Sequence, residues 1–394
     1  MRRIESDTAR RPGPATRERD RPATGPRGVA VLGSTGSIGR STLAVLRRQR
    51  EHFRVVALTA GSNEELLGEQ VREFRPAYAG VVRGTNGSSD GPACLVEAAT
   101  LPEADIVVNA VVGAAGLDAT IAALRAGKRV ALANKETLVM AGELVIAAAR
   151  EGRGELVPID SEHSAVLQCV TGREVGLERL ILTASGGPFR GWPPERVWGA
   201  TVEQALNHPT WRMGRKITVD SATLANKALE LIEAHFLFGL PYDALEVVVH
   251  PQSIVHAFVQ FHDGSVLAQL GFPTMELPIL YALTHPDRLP DSGVRRFDPI
   301  AAGPLTFEPV RGEIFRAFRA GVEAARAGGT APAVFNAANE EAVAAFLAGG
   351  VPFGRIAEVI ERVLGDHRVA PASSLEAVRE ADRWARRRAR EELR

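Results

Sequence analysis

Along the first 160 residues, short apolar runs alternate with longer stretches in which apolar residues recur at helical spacing. The run at 28–32 leads directly into Gly33-Ser34-Thr35-Gly36-Ser37-Ile38-Gly39, after which Thr42, Leu43, Val45 and Leu46 continue at helical spacing. This predicts a strand, a glycine loop and a helix. Further strands predicted at 53–59, 80–82, 105–112, 129–133 and 155–159 alternate with helical segments such as 117–126 and 137–151, the order a parallel sheet requires. The strand at 129–133 delivers Asn134, Lys135 and Glu136 at its carboxyl end, where open α/β sheets place their ligands.

Beyond 160 the rhythm changes. Strands predicted at 180–183, 244–249, 255–261 and 265–269 mix with helices and polar loops, which reads as an α+β unit. Repeated Pro, Gly and Asp over 286–309 read as an extended linker, and the Ala-rich chain beyond 312 predicts a small helical bundle. The expected architecture is α/β, with five parts. They are a disordered extension over 1–27, a Rossmann-type parallel-sheet domain over 28–159, an α+β site-bearing domain over 160–285 with a lid at 207–214, a linker over 286–311, and a C-terminal α-helical domain over 312–394. The extension is rich in Arg, Pro and Thr but holds Glu5, Asp7, Glu18 and Asp20, unlike an acid-poor transit peptide.

Composition narrows the function classes. Forty-seven basic residues balance forty-seven acidic ones, so no overall field draws the chain to nucleic acid or an anionic membrane, and any anion site must be local. Cys94 and Cys169 form no metal-spaced or C-x-x-C pattern, which argues against a disulfide scaffold and fits a reducing cytoplasm. No apolar run approaches the roughly 20 residues that cross a bilayer.

Candidate chemistry gathers at a few motifs. Glycines 33, 36 and 39 suit a tight turn, close approach to a pyrophosphate and helix–strand packing; a plain turn also needs glycine, but the flanking strand, helix and repeated βα units favour a dinucleotide. The second strand runs into Gly61-Ser62-Asn63 without the carboxylate that commonly holds NAD ribose hydroxyls, which favours NADP. Ser62 and Asn63 suit either a ribose phosphate or a helix cap. Asp160 and Glu162 sit two apart, so an extended backbone puts both on one face with Ser161 turned away. Oxygen ligands of this kind suit Mg²⁺ or Mn²⁺, with a solvated acidic turn as the alternative. In a helix predicted over 221–238, Thr223, Asn226, Lys227 and Glu230 share one side. Lys227 and Glu230 there make either a surface ion pair or part of a metal and oxyanion site. Ser185-Gly186-Gly187-Pro188-Phe189 reads as a phosphate nest or a turn, and the stretch around His208, Trp211 and Gly214 as a lid, with His208 facing a ligand or serving the fold.

In order along the chain, these motifs resemble the 1-deoxy-D-xylulose 5-phosphate reductoisomerase family. The resemblance is carried by the Gly33–Gly39 loop, Asn134-Lys135-Glu136, Asp160-Ser161-Glu162-His163, Ser185-Gly186-Gly187-Pro188-Phe189 and His208-Pro209-Thr210-Trp211. It continues through Asp220-Ser221-Ala222-Thr223, Asn226-Lys227, Glu230, His250-Pro251-Gln252-Ser253 and Asn336-Ala337-Ala338-Asn339-Glu340. It implies NADPH-dependent rearrangement and reduction of 1-deoxy-D-xylulose 5-phosphate to 2-C-methyl-D-erythritol 4-phosphate, in isoprenoid precursor synthesis. It further implies that Asp160, Glu162 and Glu230 bind a divalent cation (Mg²⁺, Mn²⁺ or Co²⁺) and, with Lys135, form the catalytic set. Ser161, Ser185, His208, Trp211, Ser221, Asn226 and Lys227 join Lys135, Glu162 and Glu230 around the substrate. Thr35, Gly36, Ser37, Ile38, Gly61, Ser62, Asn63, Asn134, Glu136, Gly214 and Met275 lie near the cofactor, and the assembly is a homodimer. Ala225 and Ala228 stand where many relatives carry Met and Gly, and Thr274 and Glu276 where Asp and Arg are more usual. A different Rossmann-type oxidoreductase, such as a homoserine-dehydrogenase-like protein, needs no converging carboxylates, and a silent NADPH sensor normally loses them.

Overall fold

Val29, Ala30, Val31 and Leu32 are fully buried, because the strand they form is covered on both faces. In the computed structural model, which describes residues 25–84, 90–173 and 175–394, this strand is β1 (Arg27–Leu32). The extension expected over 1–27 falls almost wholly on residues outside the described ones. With β2 (Phe53–Ala60), β3 (Tyr78–Val81), β4 (Ile106–Asn109), β5 (Arg129–Leu132) and β6 (Glu155–Pro158), β1 builds an all-parallel sheet in the order β3-β2-β1-β4-β5-β6. The order reverses between β1 and β4, so their carboxyl ends open a crevice of the kind that holds dinucleotides. The strand predicted over 105–112 stops at Asn109. Its side chain turns back, donating to Gly116 O (3.1 Å) and Thr120 Oγ1 (2.8 Å) and accepting from Val111 N, which diverts the backbone into a short 3₁₀ turn, Gly113–Gly116.

A second sheet comprises β7 (Leu177–Ala184), β8 (Leu245–Val249), β9 (Val255–Phe261), β10 (Val266–Leu270) and β11 (Glu308–Pro309), in the order β10-β9-β7-β8-β11. Only β7 and β8 run parallel within it. Leu180, Leu182, Ala257 and Val259 of this sheet share a core with Ala165 and Val166 of the helix Ser161–Val170 and with Leu231 and Ala234 of the helix Ala225–Phe238. The stretch expected as an extended linker is partly structured: it holds a helical turn, Pro299–Ala302, and supplies β11 to the sheet edge. The helices Arg316–Ala327, Ala331–Leu347, Arg355–Asp366 and Leu375–Glu392 follow, and Val334, Phe335, Phe346 and Ile360 pack against Ala228 and Ile232.

Two arrangements differ from the sequence reading. The helix Glu276–Thr284 belongs to the first sheet, burying Ile279, Leu280 and Leu283 in one cluster with Val29, Val31, Ile106 and Val108. Arg129 of β5 fastens it by donating to Leu283 O (3.1 Å) and His285 O (2.7 Å). The single helix predicted over 221–238 is two, Arg215–Thr223 and Ala225–Phe238, separated by Leu224 at φ 56°. A branched residue rarely adopts this left-handed conformation. Here Leu224 is fixed by burial against Ala184 and Phe315, and Thr223 Oγ1 accepts from Ala225 N to start the second helix.

Candidate active site

Asp160 leaves the end of β6 and caps the next helix, its Oδ1 accepting from Ser161 N (3.1 Å). Asp160 and Glu162 therefore come together through the first turn of a helix, not along an extended backbone, and Ser161 does not turn away: its hydroxyl donates to Glu162 Oε2. Lys135 sits one residue past the Asn134 cap of the helix after β5. Asn226, Lys227 and Glu230 come from the helix Ala225–Phe238, whose split from its predecessor removes Thr223 from the face they share.

These groups converge in a buried cluster. One carboxylate oxygen from each of Asp160, Glu162 and Glu230 lies within 4.8 Å of the others. Lys227 Nζ bridges Glu162 Oε1 (2.8 Å) and Glu230 Oε2, while Lys135 Nζ bridges Asp160 Oδ2 and Glu230 Oε1 (3.1 Å). Asn226 donates to Glu230 Oε1. Lys227 and Glu230 are 3% and 1% exposed, which removes the surface ion pair as an explanation. Burial and the neighbouring Glu162 charge push the Glu230 carboxyl up, whereas Asp160 is held well below the usual range, against its burial, by the Lys135 ammonium. Four carboxylates, counting Glu233, face two ammonium groups and the His163 imidazole here, so the cluster keeps a net negative charge even with that ring protonated. The excess negative charge and the oxygen-only trio fit a hard divalent cation.

A second pocket adjoins the lid segment. Gly186 and Gly187 both take positive φ (80° and 64°), and a Cβ at 187 would stand 2.7 Å from Ser221 O. The turn sets Ser185 Oγ 3.0 Å from His208 Nε2, which lies 3.1 Å from Ser221 Oγ. A cleft of about 390 Å³ alongside is lined by Ser185, Gly187, Arg190, Trp192, Asn207 and Pro251. Hydroxyls, an imidazole N–H and glycine backbone are the donors an oxyanion needs. His208 Nδ1 accepts from Thr210 N (3.1 Å) and Trp211 N (2.9 Å), which leaves the proton on Nε2.

Burial lowers the His208 imidazole from 6.5 to about 4. Between those values the unfolded chain takes up a proton that the folded one refuses, so this group's contribution to stability is complete above pH 6.5 and falls as pH drops toward 4. An NMR titration of His208 is expected to show its midpoint near 4; a midpoint at 6 or above would mean that burial does not hold it neutral.

On the cofactor side, Gly33 N and Ser34 N are pinned to Thr59 Oγ1 (3.3 Å) and Thr59 O (2.8 Å). The helix Ser37–Arg48 starts at Gly36 with no side-chain cap, so its first-turn N–H groups, around Ser37 and Ile38, remain available to a ligand beside Thr35. Asn63 caps the helix Glu64–Phe74 by accepting from Leu66 N (3.1 Å), next to Gly61 and Ser62. Asn134 ties Val111 O (2.7 Å) and Gly113 O (2.8 Å), and Glu136 receives Lys216 (3.3 Å). Gly214 opens the helix Arg215–Thr223, again without a side-chain cap, and Met275 opens the helix Glu276–Thr284. Trp211 lies 6.4 Å, ring to ring, from the buried His256.

Comparison with known proteins accounts for this arrangement. The family model for 1-deoxy-D-xylulose 5-phosphate reductoisomerase matches residues 29–142, and models of its C-terminal domains match 156–238 and 270–388. A reductoisomerase of this kind from Geobacter sp. (strain M21) is 52% identical over 379 residues, covering 93% of this chain and 98% of the relative. One from Geobacillus kaustophilus is 50% identical over 371 residues, covering 91% and 97%. The chain belongs to the 1-deoxy-D-xylulose 5-phosphate reductoisomerase family. The reductoisomerase from Zymomonas mobilis in complex with NADPH superimposes with a TM-score of 0.86 at 43% identity, over 93% of this chain and 99% of that one. A reductoisomerase crystallised with NADPH, fosmidomycin and magnesium gives 0.86 at 38% identity, over 93% and 98%.

Two of the positions that the sequence reading set apart, Ala228 and Glu276, have defined local surroundings. Ala228 stands against Gly321, where a Cβ would come 2.5 Å from the Ala228 methyl. Glu276 pairs with Arg48 (2.6 Å), which also holds Asp291 (2.7 Å), so the negative charge beside Met275 is balanced from the helix after the glycine loop.

Three residues given no role in the sequence reading enter this candidate site. His163 and Glu233 line the carboxylate cluster, and Lys216 joins Glu136 to Asp220 (3.0 Å). Glu233 follows Glu230 by three and Asn226 by seven, so it extends the same helical stripe, a signal present in the spacing. His163 lies within a quoted motif but is a lone histidine, and for Lys216 the i, i+4 spacing to Asp220 suggests no more than a surface pair. No helix among the described residues is long and apolar enough to cross a membrane.

Proposed function

We propose that the chain converts 1-deoxy-D-xylulose 5-phosphate to 2-C-methyl-D-erythritol 4-phosphate, by skeletal rearrangement followed by hydride transfer from NADPH. The observation that carries this is the meeting of Asp160 and Glu162, from one helix start, with Glu230 of another helix and two buried ammonium groups. Ser185, His208 and Ser221 hold the substrate phosphate, while Ser161, Asn226 and Lys227 orient its hydroxyls from the opposite elements. A divalent cation held by the three carboxylates supplies Lewis-acid polarisation of substrate oxygens. Lys135 places N–H donors at the reacting oxygens, and closure of 207–214 with Trp211 excludes water from the aldehyde that the rearrangement produces. The uncapped helix start at Gly36 would seat NADPH, which would supply the hydride that reduces the aldehyde carbon while the aldehyde oxygen gains a proton.

The test is loss of NADPH absorbance with 1-deoxy-D-xylulose 5-phosphate and Mg²⁺ or Mn²⁺. One NADPH per substrate is expected, with none consumed after chelation; no consumption under any of these metals sinks the assignment. A homodimer is part of the same proposal. It is supported by β10, which ends its sheet with Val266 and Leu267 half and one-third exposed. A single-chain mass in light scattering would exclude it.

A further inference from the structure

Glu233 has no part in the reaction as described, yet it is 3% exposed and faces the cation cluster. Its Oε2 lies 3.9 Å from both Lys135 Nζ and His163 Nδ1 and has no hydrogen-bond partner among the described residues. A buried carboxylate with an open acceptor is costly unless something else uses it. Lys135 is its natural user. The Lys135 ammonium is buried and is held by Asp160 and Glu230, both of which are expected ligands of a cation. Oxygens cannot serve a cation and an ammonium at full strength together, so loading the site deprives a buried ammonium of its two hydrogen-bonded counter-charges. Among the described residues Glu233 is the remaining carboxylate within 4 Å of Lys135 Nζ, and a shift of about 1 Å brings the pair to an ordinary hydrogen-bond length.

We infer that Glu233 is a positioning residue of the cation site, receiving the Lys135 ammonium when Asp160 and Glu230 turn their oxygens to a divalent ion. This rests on the proposed role of Asp160 and Glu230. It makes Glu233 a determinant of metal affinity without direct contact with metal, in the way outer carboxylates tune other sites.

The experiment is titration of the full chain with Mn²⁺, followed by electron paramagnetic resonance, alongside NADPH binding by fluorescence. Glu233→Gln is expected to weaken Mn²⁺ binding about 10–100-fold and to leave NADPH affinity within about twofold. Glu233→Asp keeps the charge and falls between; it serves the same comparison if the Gln variant does not fold. In a Lys135→Met background, with no ammonium to rehouse, either change moves Mn²⁺ affinity by less than about threefold, as expected of an effect carried by the pair. Wild-type Mn²⁺ affinity in both Glu233 variants, or an equal loss without Lys135, overturns the inference. Wild-type chain that binds Mn²⁺ but leaves 1-deoxy-D-xylulose 5-phosphate unreacted would count against the proposed reaction and not against Glu233.

Discussion

Glu230→Gln is expected to lower kcat by about 10³-fold while NADPH affinity stays within about twofold. The substitution is nearly isosteric, so the helix Ala225–Phe238 and the apolar face behind it keep their packing. What changes is charge. Both Glu230 oxygens accept from cations or amides, Oε1 from Lys135 and Asn226 and Oε2 from Lys227, and an amide in that place puts an NH2 where one of these oxygens accepted, facing an ammonium it cannot pair with. The cation site also loses one of three anionic ligands. Metal-based charge stabilisation is worth several kcal/mol, and about 1.4 kcal/mol corresponds to each factor of ten in rate. Steady-state NADPH oxidation and a separate fluorescence titration read the two halves of the expectation. Turnover within tenfold of the parent would remove Glu230 from the cation site.

Gly39→Ala should strike the other half of the molecule. A Cβ at this position would stand 2.3 Å from Gly33 O, 2.5 Å from Ser34 Cα and 2.6 Å from Ser34 C. All three atoms are backbone, so no flexible side chain yields, and the helix Ser37–Arg48 must move off the loop that feeds it. Overpacking of this kind costs about 1–3 kcal/mol, and the displaced first turn no longer presents its N–H groups to a pyrophosphate. NADPH affinity is expected to fall by at least about tenfold, with a lower melting temperature. Gly36→Ala is the comparison for stability, since its nearest neighbour is Gly33 O at 3.3 Å. An unchanged melt and NADPH affinity in Gly39→Ala would show that the loop is looser than its packing implies.

Much of this was legible in the residues because the pattern and the physics agree locally. Continuous apolar runs such as Val29–Leu32 declare strands buried on both faces, and the glycine loop after the first of them declares the crevice. Asp160 and Glu162 were legible as partners, but the reason lay in a helix cap and not in an extended strand, since capping depends on where the helix begins. The break at Leu224 was not legible: nothing in Thr223-Leu224-Ala225 opposes helix, and the left-handed turn is imposed by Ala184 and Phe315 from elsewhere in the chain. Glu233 was hidden for a related reason. A charged residue on a helix reads as solvated until its counter-charges, here on Lys135 and His163, arrive from other elements.

The return of residues 276–284 to the first sheet has a practical consequence for dissection of the protein. A fragment ending at residue 159 holds all six parallel strands but leaves behind Ile279, Leu280 and Leu283, which cover one side of them. Excision there bares oily surface on both pieces, so such fragments will clump instead of folding alone. An independent nucleotide-binding module has to be assembled from two distant stretches of chain, joined by a short artificial bridge.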